Sequence, residues 1–263
     1  MLAEQRYKMI LHLMQHDGSI KASELKDTLE VSSETVRRDL ENMEAQGLLR
    51  RTHGGAMLPE ADVRNQVHYT PFAQREQENA ESKAQVARLA ASYIAEGQSV
   101  ALDSGTTALE LARVIKHRFA NLMVVTNSLA IANELADAPG ITLILTGGVY
   151  KPEEAAFTSD MATLLFSKLR IDTFFLTTCG ISAEWGVTYQ RMDEIIVQEK
   201  MMDASEKTIC ITDSSKLGVD SLVKMCDISR IHMLITDTKA AQTQIAPFEK
   251  AGVIVVTPER NAG

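Results

Sequence analysis

The sequence of 263 residues has few cysteines, few aromatic residues and no long apolar run. Its three cysteines lie far apart and form no CxxC pair, which argues against a disulfide framework and a zinc site. No stretch approaches the ~20 consecutive apolar residues that a membrane span requires. The first ten residues carry Glu4, Arg6 and Lys8, unlike a signal peptide. We therefore expect a cytoplasmic protein with no metal, no cofactor and no membrane contact.

The sequence also lacks an excess of positive charge. It contains 27 Lys and Arg against 35 Asp and Glu, a net charge of −8. Because phosphate contacts need basic side chains, this balance argues mildly against nucleic-acid binding. The first 60 residues are no exception, with eight Lys and Arg against ten Asp and Glu. Binding depends, however, on whether the basic side chains converge on one face.

Residues 1–57 carry the pattern of a small helical domain with a wing. Apolar residues recur at helical spacing, and polar or glycine-containing segments separate the periodic stretches. The predicted elements are helices near residues 7–14, 21–29 and 33–45, a strand over residues 48–51 and a turn at Gly54 and Gly55. This order is typical of a winged helix-turn-helix, whose second motif helix enters the major groove of DNA.

The third predicted helix has an apolar face and a charged face. Burial of Val36, Leu40 and Met43 would leave the arginines outside, where Arg can donate two hydrogen bonds to guanine. The alternative is a solvated face on which Arg38 pairs with Glu34 and Arg37 with Glu41. The candidate DNA-binding residues are Ser32, Ser33, Thr35, Arg37 and Arg38 on this helix, and Arg50, Arg51 and His53 on the wing.

A polar stretch over residues 58–80 is predicted to be a linker, and the pattern changes after it. From residue 81 to 263, short continuously apolar runs alternate with helices, which predicts an α/β domain with a mainly parallel sheet covered on both faces. The predicted strands cover residues 99–102, 122–125, 141–145, 173–176, 208–211, 233–235 and 253–256.

Small polar loops follow several of these predicted strands. Ligands of open α/β sheets bind outside the carboxyl ends of the strands, and a helix N-terminus with hydroxyls and glycine suits a phosphate. The alternatives are ordinary helix caps and a solvated surface lysine. The candidate effector-binding residues are Asp103, Ser104, Gly105, Thr106, Thr107, Thr126, Asn127, Ser128, Gly147, Gly148, Thr178 and Lys216.

Both halves resemble one protein family. The segment ELKDTLEVSSETVRRDLENMEAQGLLRRTHGGA resembles the N-terminal signature of DeoR-type repressors, and LDSGTT, VTNS, TGG and DSSK follow in family order. The resemblance implies that the third helix reads operator DNA. It also implies a sensor domain similar to ribose-5-phosphate isomerase and glucosamine-6-phosphate deaminase, with Asp103 against sugar hydroxyls and Lys216 near a phosphate. The chain departs from the family pattern at residues 177–179, beside the predicted pocket.

We therefore expect a repressor of a carbohydrate-utilisation operon, released from its operator by a phosphorylated sugar. Helix-turn-helix proteins usually bind paired half-sites as symmetric oligomers, so a homo-oligomer (dimer or tetramer) is expected. The alternative is a sugar-phosphate isomerase-like enzyme with a DNA-binding appendage. Asp103 and Glu184 are the carboxylates available as a base, but no histidine follows a predicted strand of the second domain, so we expect binding without catalysis. Asp39 is expected to hold a neighbouring donor, since phosphate would repel it.

Overall fold

The computed structural model describes residues 6–7, 9–10, 13–14, 19–29, 31–45, 48–52, 54–57 and 70–259. Contacts divide the chain into two compact units, Met1–Tyr69 and Thr70–Gly263. In the part of the chain that is described, no helix is long and apolar enough to cross a membrane.

The first unit is a winged helix-turn-helix. Residues 6–7, 9–10 and 13–14 are helical, as predicted. The elements that follow are β1 (Ser19–Lys21), α1 (Ala22–Leu29), α2 (Ser33–Ala45), β2 (Arg50–Thr52) and β3 (Gly55–Met57). The three strands form an antiparallel sheet in the order β1-β3-β2. Residues buried in its core include Ile10, Leu25, Val36, Leu40 and Met43, so the apolar faces expected from helical spacing are the ones that are buried.

The wing differs from the prediction at one glycine. The turn was expected at Gly54 and Gly55, but Gly55 lies in β3 and pairs with Lys21 of β1, a strand that the sequence did not reveal. A Cβ on Gly55 would lie 1.9 Å from the carbonyl oxygen of Ile20. Glycine is therefore needed here for the close approach of β1 rather than for a turn.

The second unit is an α/β domain built on seven parallel strands. They are β4 (Ser99–Leu102), β5 (Leu122–Thr126), β6 (Ile141–Leu145), β9 (Ile171–Leu176), β12 (Ser205–Ile211), β14 (Met233–Ile235) and β15 (Ile254–Val256). Their order is β15-β14-β12-β9-β4-β5-β6. All seven predicted strands are present, and the mainly parallel sheet is confirmed. The strand order reverses between β4 and β9, which is where ligands of such sheets usually bind.

Helices cover both faces of the sheet, as expected for parallel strands. Those of the second unit are α3 (Phe72–Gln77), α4 (Ala80–Ala90), α5 (Thr106–Arg118), α6 (Leu129–Leu135), α7 (Met192–Asp203) and α8 (Gln242–Lys250). Val86 of α4 and Leu111 of α5 belong to one apolar core. Val197 of α7 and Phe248 of α8 belong to the other.

Two small antiparallel sheets interrupt the parallel series. β7 (Val149–Lys151) and β8 (Ala156–Thr158) form a two-stranded ribbon after β6. After β9, the strands β10 (Gly180–Ser182), β11 (Gly186–Tyr189) and β13 (Val223–Cys226) form a second sheet. The sequence analysis predicted neither, because segments of three or four residues are too short to show a clear period.

Part of the predicted linker belongs to the second unit. Helix α3 and the start of α4 fall within residues 58–80, and Phe72 is buried in the same core as Val86. The few large aliphatic residues in this stretch concealed the helix. Residues 58–69 lie outside the described residues, so a linker there remains a prediction.

Candidate functional site

Helix α2 presents a charged face because its apolar face is buried. Val36, Leu40 and Met43 lie in the core, while Arg37 and Arg38 are exposed. Ser33 is also exposed, at the start of the helix. The hydroxyl of Ser32 accepts a hydrogen bond from the backbone N–H of Thr35 at 3.1 Å, so Ser32 caps the helix as Ser commonly does. The N-terminal turn is thereby fixed, with its polar side chains outward.

The two arginines are paired with carboxylates of their own helix. Arg37 lies 2.7 Å from Glu34 and 2.5 Å from Glu41, and Arg38 lies 3.2 Å from Glu34. The guanidinium of Arg37 lowers the pKa of Glu34 to about 2. The ion pairs expected for a solvated charged face are therefore present in this structure, which contains no DNA. Exposed pairs of this kind contribute little and are screened by salt, so they do not prevent exchange of carboxylate for phosphate or base.

Asp39 has the structural role expected for it. Its carboxylate is buried and accepts hydrogen bonds from Arg6 Nε at 2.6 Å and Arg6 Nη2 at 2.9 Å. This bidentate pair also raises the pKa of Arg6. Such forked geometry is the strongest form of an ion pair. Asp39 thus ties the N-terminal segment to the helix that carries the candidate arginines.

The wing meets the same charged face. Arg51 lies 2.7 Å from Glu41 and 3.1 Å from Glu44, and Glu41 also binds Arg37. The structure therefore brings Arg37, Arg38 and Arg51 together around shared carboxylates. Arg50 is exposed and makes no ion pair with any described residue. His53 lies outside the described residues.

In the second unit, a buried and hydrogen-bonded carboxylate lies at the switch point between β4 and β9. Asp103, at the end of β4, is buried. The backbone N–H groups of Ser104 and Thr177 lie 2.7 and 3.0 Å from its carboxylate oxygens. The Tyr189 hydroxyl and the side-chain Nε2 of Gln198 each lie 2.9 Å from a carboxylate oxygen. Thr177 Oγ1 is a further donor at 2.5 Å. A carboxylate has about four lone-pair sites, so these protein donors occupy its capacity.

The family resemblance implied contact between Asp103 and sugar hydroxyls. In this structure the oxygens of Asp103 accept hydrogen bonds from protein donors. The carboxylate joins the loops after β4 and β9 to the buried residue Gln198 of α7. Burial and the neighbouring Asp103 also raise the pKa of Tyr189, which keeps its hydroxyl a donor. Asp103 is a positioning residue of the sheet edge.

Gly105 also has a structural reason that sequence analysis did not identify. A Cβ at this position would lie 2.1 Å from Thr177 Oγ1. The absence of a side chain at Gly105 therefore leaves space for the side chain of Thr177. The sequence had suggested that this space serves the close approach of a ligand. Thr178 also has protein partners, since its hydroxyl lies 2.6 and 2.9 Å from the carbonyl oxygens of Gly180 and Thr188 and shares its one proton between them.

The polar groups left available lie on the first turn of α5. Gly105 is the N-cap and supplies no side-chain hydrogen bond to the helix start. The hydroxyls of Thr106 and Thr107, both buried residues, make no hydrogen bond with any described residue. The hydroxyl of half-buried Ser104 makes only a long contact, 3.5 Å, with Asp103. Free N–H groups, the positive end of the helix dipole and these hydroxyls form a chemically suitable surface for an anion.

The loop after β5 uses two of its three candidates as caps. Thr126 Oγ1 accepts from the N–H of Ser128, and Ser128 Oγ accepts from Ile131 at the start of α6. Asn127 is buried and donates to the carbonyl of Phe157 at 3.0 Å, but its Oδ1 has no partner among the described residues. Because buried acceptors are normally paired, Asn127 is the member of this loop with capacity for a ligand.

The remaining candidates flank the same edge. Gly147 and Gly148 follow β6 with φ of 66° and 111°. Lys216, in a short 3-10 turn after β12, is half-buried and makes no ion pair with any described residue. Burial, and to a smaller extent the charge of Lys216, lowers the pKa of Lys83.

Sequence analysis missed a buried acid pair near this edge. Glu154, after β7, and Glu194, on the first turn of α7, are both buried. Arg75 forms an ion pair with Glu154. Burial and the neighbouring Glu154 raise the pKa of Glu194 to about 8. The only signal was the i, i+4 spacing of Glu194 and Gln198, two polar residues on one face of α7.

Comparison with known proteins matches both units. A model of the DeoR-like helix-turn-helix domain matches residues 6–62, and a model of the DeoR C-terminal sensor domain matches residues 78–238. The HTH-type transcriptional regulator GolR of Listeria innocua is 31% identical over 97% of this chain and 98% of its own length. The repressor GlcR of Bacillus subtilis is 32% identical over 100% of this chain and 99% of its own.

A third relative is the glycerol-3-phosphate regulon repressor of Escherichia coli K12. It is 30% identical over 89% of this chain and 90% of its own length. Among solved structures, ribose 5-phosphate isomerase from Plasmodium falciparum has a TM-score of 0.37 and 15% identity, covering 51% of each chain. The eIF2B beta subunit from Chaetomium thermophilum has a TM-score of 0.45 and 12% identity, covering 66% of this chain and 53% of its own. Structural similarity at this level carries no functional argument.

Proposed function

The chain belongs to the DeoR family of helix-turn-helix transcriptional regulators, and from that premise we propose that it represses a carbohydrate-utilisation operon in the cytoplasm. A phosphorylated sugar, bound at the carboxyl edge of the parallel sheet, releases it from paired operator half-sites. The names of its relatives support this proposal, since GlcR is named a repressor and the Escherichia coli relative a repressor of a glycerol-3-phosphate regulon.

The observation that carries the DNA-binding half is the convergence of basic side chains on one face of α2 and the wing. Arg37, Arg38 and Arg51 share the carboxylates Glu34 and Glu41. This acidic protein thus carries three arginines on one face, paired with carboxylates that DNA phosphates would replace. We assign Arg38 to base contact, because it is the more exposed and makes the longer ion pair. Ser32, Ser33, Thr35, Arg50 and His53 complete the proposed contact set.

The effector half rests on polar groups at the sheet edge, most of which have no hydrogen-bond partner among the described residues. The phosphate is assigned to the N-terminus of α5, with Ser104, Thr106 and Thr107 as hydroxyl ligands and Lys216 as counter-charge. A sugar hydroxyl is assigned to Asn127 Oδ1, which needs a donor. Gly147 and Gly148 border the site. Asp103, Gly105, Thr126, Ser128 and Thr178 hold these groups in place through contacts within the protein.

Release requires that the effector binds the DNA-competent and DNA-incompetent states with different affinity. The first experiment selects bound sequences from a random DNA pool with the purified full-length protein. The second screens hexose 6-phosphates, pentose 5-phosphates and glycerol 3-phosphate by thermal shift, because a bound ligand raises the melting temperature by mass action. The unphosphorylated sugars are the matched controls.

The proposal predicts enrichment of a sequence with two related half-sites, and a melting-temperature rise for one phosphorylated sugar but not for its parent sugar. Lys216→Ala should reduce that rise, while Lys250→Ala, an exposed lysine at the end of α8, should not. Failure to enrich any sequence would contradict the DNA half. Equal shifts with phosphorylated and parent sugars would contradict the effector half.

The two carboxylates that the sequence offered as a base for the isomerase-like alternative are not placed for that role. Asp103 is fully engaged by protein donors, and Glu184 lies exposed in the turn between β10 and β11. A general base must reach the proton that it removes. We therefore propose binding without turnover. Conversion of a bound aldose phosphate to its ketose by the purified protein, followed by NMR, would contradict this conclusion.

A further inference from the structure

The ribbon of β7 and β8 has one covered edge and one open edge. The edge of β8 is covered by the loop after β5, through hydrogen bonds that join Phe157 to Asn127 and Leu129 to Ala155, each at 2.8 Å. The edge of β7 pairs with no further strand among the described residues. An open strand edge presents unpaired N–H and C=O groups and is a template for pairing with another chain.

Apolar side chains surround this open edge. Val149 and Tyr150 of β7 are exposed, although both are large and hydrophobic. Met161 and Leu164 are also exposed, on the 3-10 helix Asp160–Lys168 that follows the ribbon. Side chains three residues apart in a 3-10 helix eclipse, so Met161 and Leu164 share one face. We call these four residues the ribbon patch.

The two halves of the ribbon patch lie close together in the fold. A Cβ built on Gly148, the residue before β7, would lie 3.0 Å from the Cβ of Ala162, the residue after Met161. The start of β7 therefore packs directly against the start of the 3-10 helix. Single exposed apolar residues are normal on a protein surface, but four of them close to an open strand edge indicate an interaction surface.

We propose that the ribbon patch binds a second copy of this chain, with β7 of the two copies paired antiparallel around a two-fold axis near Tyr150. The proposal rests on the proposed function, because a helix-turn-helix that reads paired half-sites needs a symmetric partner. Antiparallel pairing of identical strands satisfies this symmetry, since each copy supplies the same edge. It would turn two isolated ribbons, each marginal alone, into a four-stranded sheet.

The chemistry of the strand is compatible with its own copy. Centred on Tyr150, the pairing places Val149 opposite Lys151 of the other copy and sets no two charged residues of β7 directly opposite each other. Lys151 already lies 3.6 Å from Asp193. A stable interface buries about 800 Å² on each partner, more than one short strand provides, and the flanking Met161 and Leu164 extend it.

The ribbon also contacts the loop after β5, at the sheet edge where we place the effector. Asn127, the loop residue with an unpaired oxygen, binds β8 on the side opposite the proposed interface. A ligand at Asn127 would therefore act on the element that joins the two copies. Such a position provides a physical connection between effector binding and the spacing of the two DNA-binding units.

A cysteine cross-link tests the proposal directly. Directly opposite residues of an antiparallel pair have Cα atoms about 4.5–5.5 Å apart, within the range that a disulfide spans. Full-length protein carrying Tyr150→Cys should form a covalent dimer under mild oxidation on a non-reducing gel. Val219→Cys is the matched control, because Val219 is 41% exposed and Tyr150 39%. Wild-type protein controls for the three native cysteines.

A charge substitution tests the same surface without cross-linking. Leu164→Glu should weaken self-association of the full-length protein at least tenfold in sedimentation equilibrium. Leu222→Glu should leave it unchanged, since Leu222 is equally exposed, at 70% against 69%, but lies outside the ribbon patch. No excess cross-linking over Val219→Cys, or equal effects of the two glutamates, would overturn the proposal. Selection of DNA sequences by the wild-type protein is a separate measurement, so failure of the interface is distinguishable from failure of DNA binding.

Discussion

The ion pair between Arg6 and Asp39 should stabilise the DNA-binding unit, and Asp39→Asn removes its charge while keeping the size of the side chain. Only 5% of the Asp39 side chain and 15% of the Arg6 side chain are exposed. Breaking a fully buried pair costs about 3–5 kcal/mol, and loss of a charged hydrogen bond about 1.5–3 kcal/mol. For this partly exposed bidentate pair we expect about 2–3 kcal/mol.

That loss is large for a unit of this size. Small domains have about 0.05–0.15 kcal/mol of stability per residue, so a domain of about 60 residues has only a few kcal/mol. With a urea dependence of about 1 kcal/mol per M, the unfolding midpoint should fall by about 2–3 M. Helices of both units contribute to far-ultraviolet circular dichroism. The single tryptophan, Trp185, lies in the second unit and reports on that unit alone.

The assay therefore has an internal control. Asp39→Asn should shift a circular-dichroism transition to lower urea while the tryptophan-fluorescence transition stays in place. Glu34→Gln, which removes exposed ion pairs to Arg37 and Arg38, should shift neither transition measurably. Equal midpoints for Asp39→Asn and Glu34→Gln would refute the role assigned to the buried pair. So would a parallel shift of the tryptophan signal.

Three further outcomes are expected. Arg38→Ala should cost about 1–3 kcal/mol of binding to a selected operator by fluorescence anisotropy, and unchanged affinity would remove its base-reading assignment. Gly105→Ala places a Cβ 2.1 Å from Thr177 Oγ1. It should therefore destabilise the second unit by about 3 kcal/mol or more in urea unfolding. Gly54→Ala is the control, because a Cβ at Gly54 would have no atom within 4 Å. The pKa of Glu194 is raised from 4.5 to about 8 in the folded protein. Its contribution to the free energy of unfolding is therefore complete below pH 4.5 and is lost as the pH rises to 8. Glu194→Gln should therefore flatten this pH dependence, and an unchanged slope would contradict the raised pKa.

The parallel sheet could be predicted from the sequence because its strands are buried on both faces. Runs such as residues 122–125 and Met233–Ile235 are apolar without interruption and stand between helical periods. Strands β9 and β12 begin earlier than expected because polar residues, such as Asp172 and Glu206, interrupt the apolar pattern near their starts. The ribbon and the second antiparallel sheet gave no such signal, since their strands are short and partly exposed.

The candidate site was predicted in location but less well in detail. Loops after parallel strands meet at one edge whatever their sequence, so Asp103, Asn127 and Lys216 could be assigned to that edge. Their individual roles depend on partners distant in the chain. Asp103 is engaged by Thr177, 74 residues away, and by Gln198, 95 residues away. Spacing within a motif does not reveal such contacts, and a hydroxyl used as a cap looks the same in sequence as one left free for a ligand.

The most direct test of the central claim is titration of a preformed operator complex with the phosphorylated sugar identified by thermal shift. Fluorescence anisotropy of labelled operator DNA, at fixed salt, reports the fraction bound. Saturating effector should weaken operator affinity by about 10–100-fold, a coupling free energy of about 1–3 kcal/mol. The unphosphorylated sugar should leave the affinity unchanged. Tighter binding with the effector, or no change, would contradict release by a sugar phosphate.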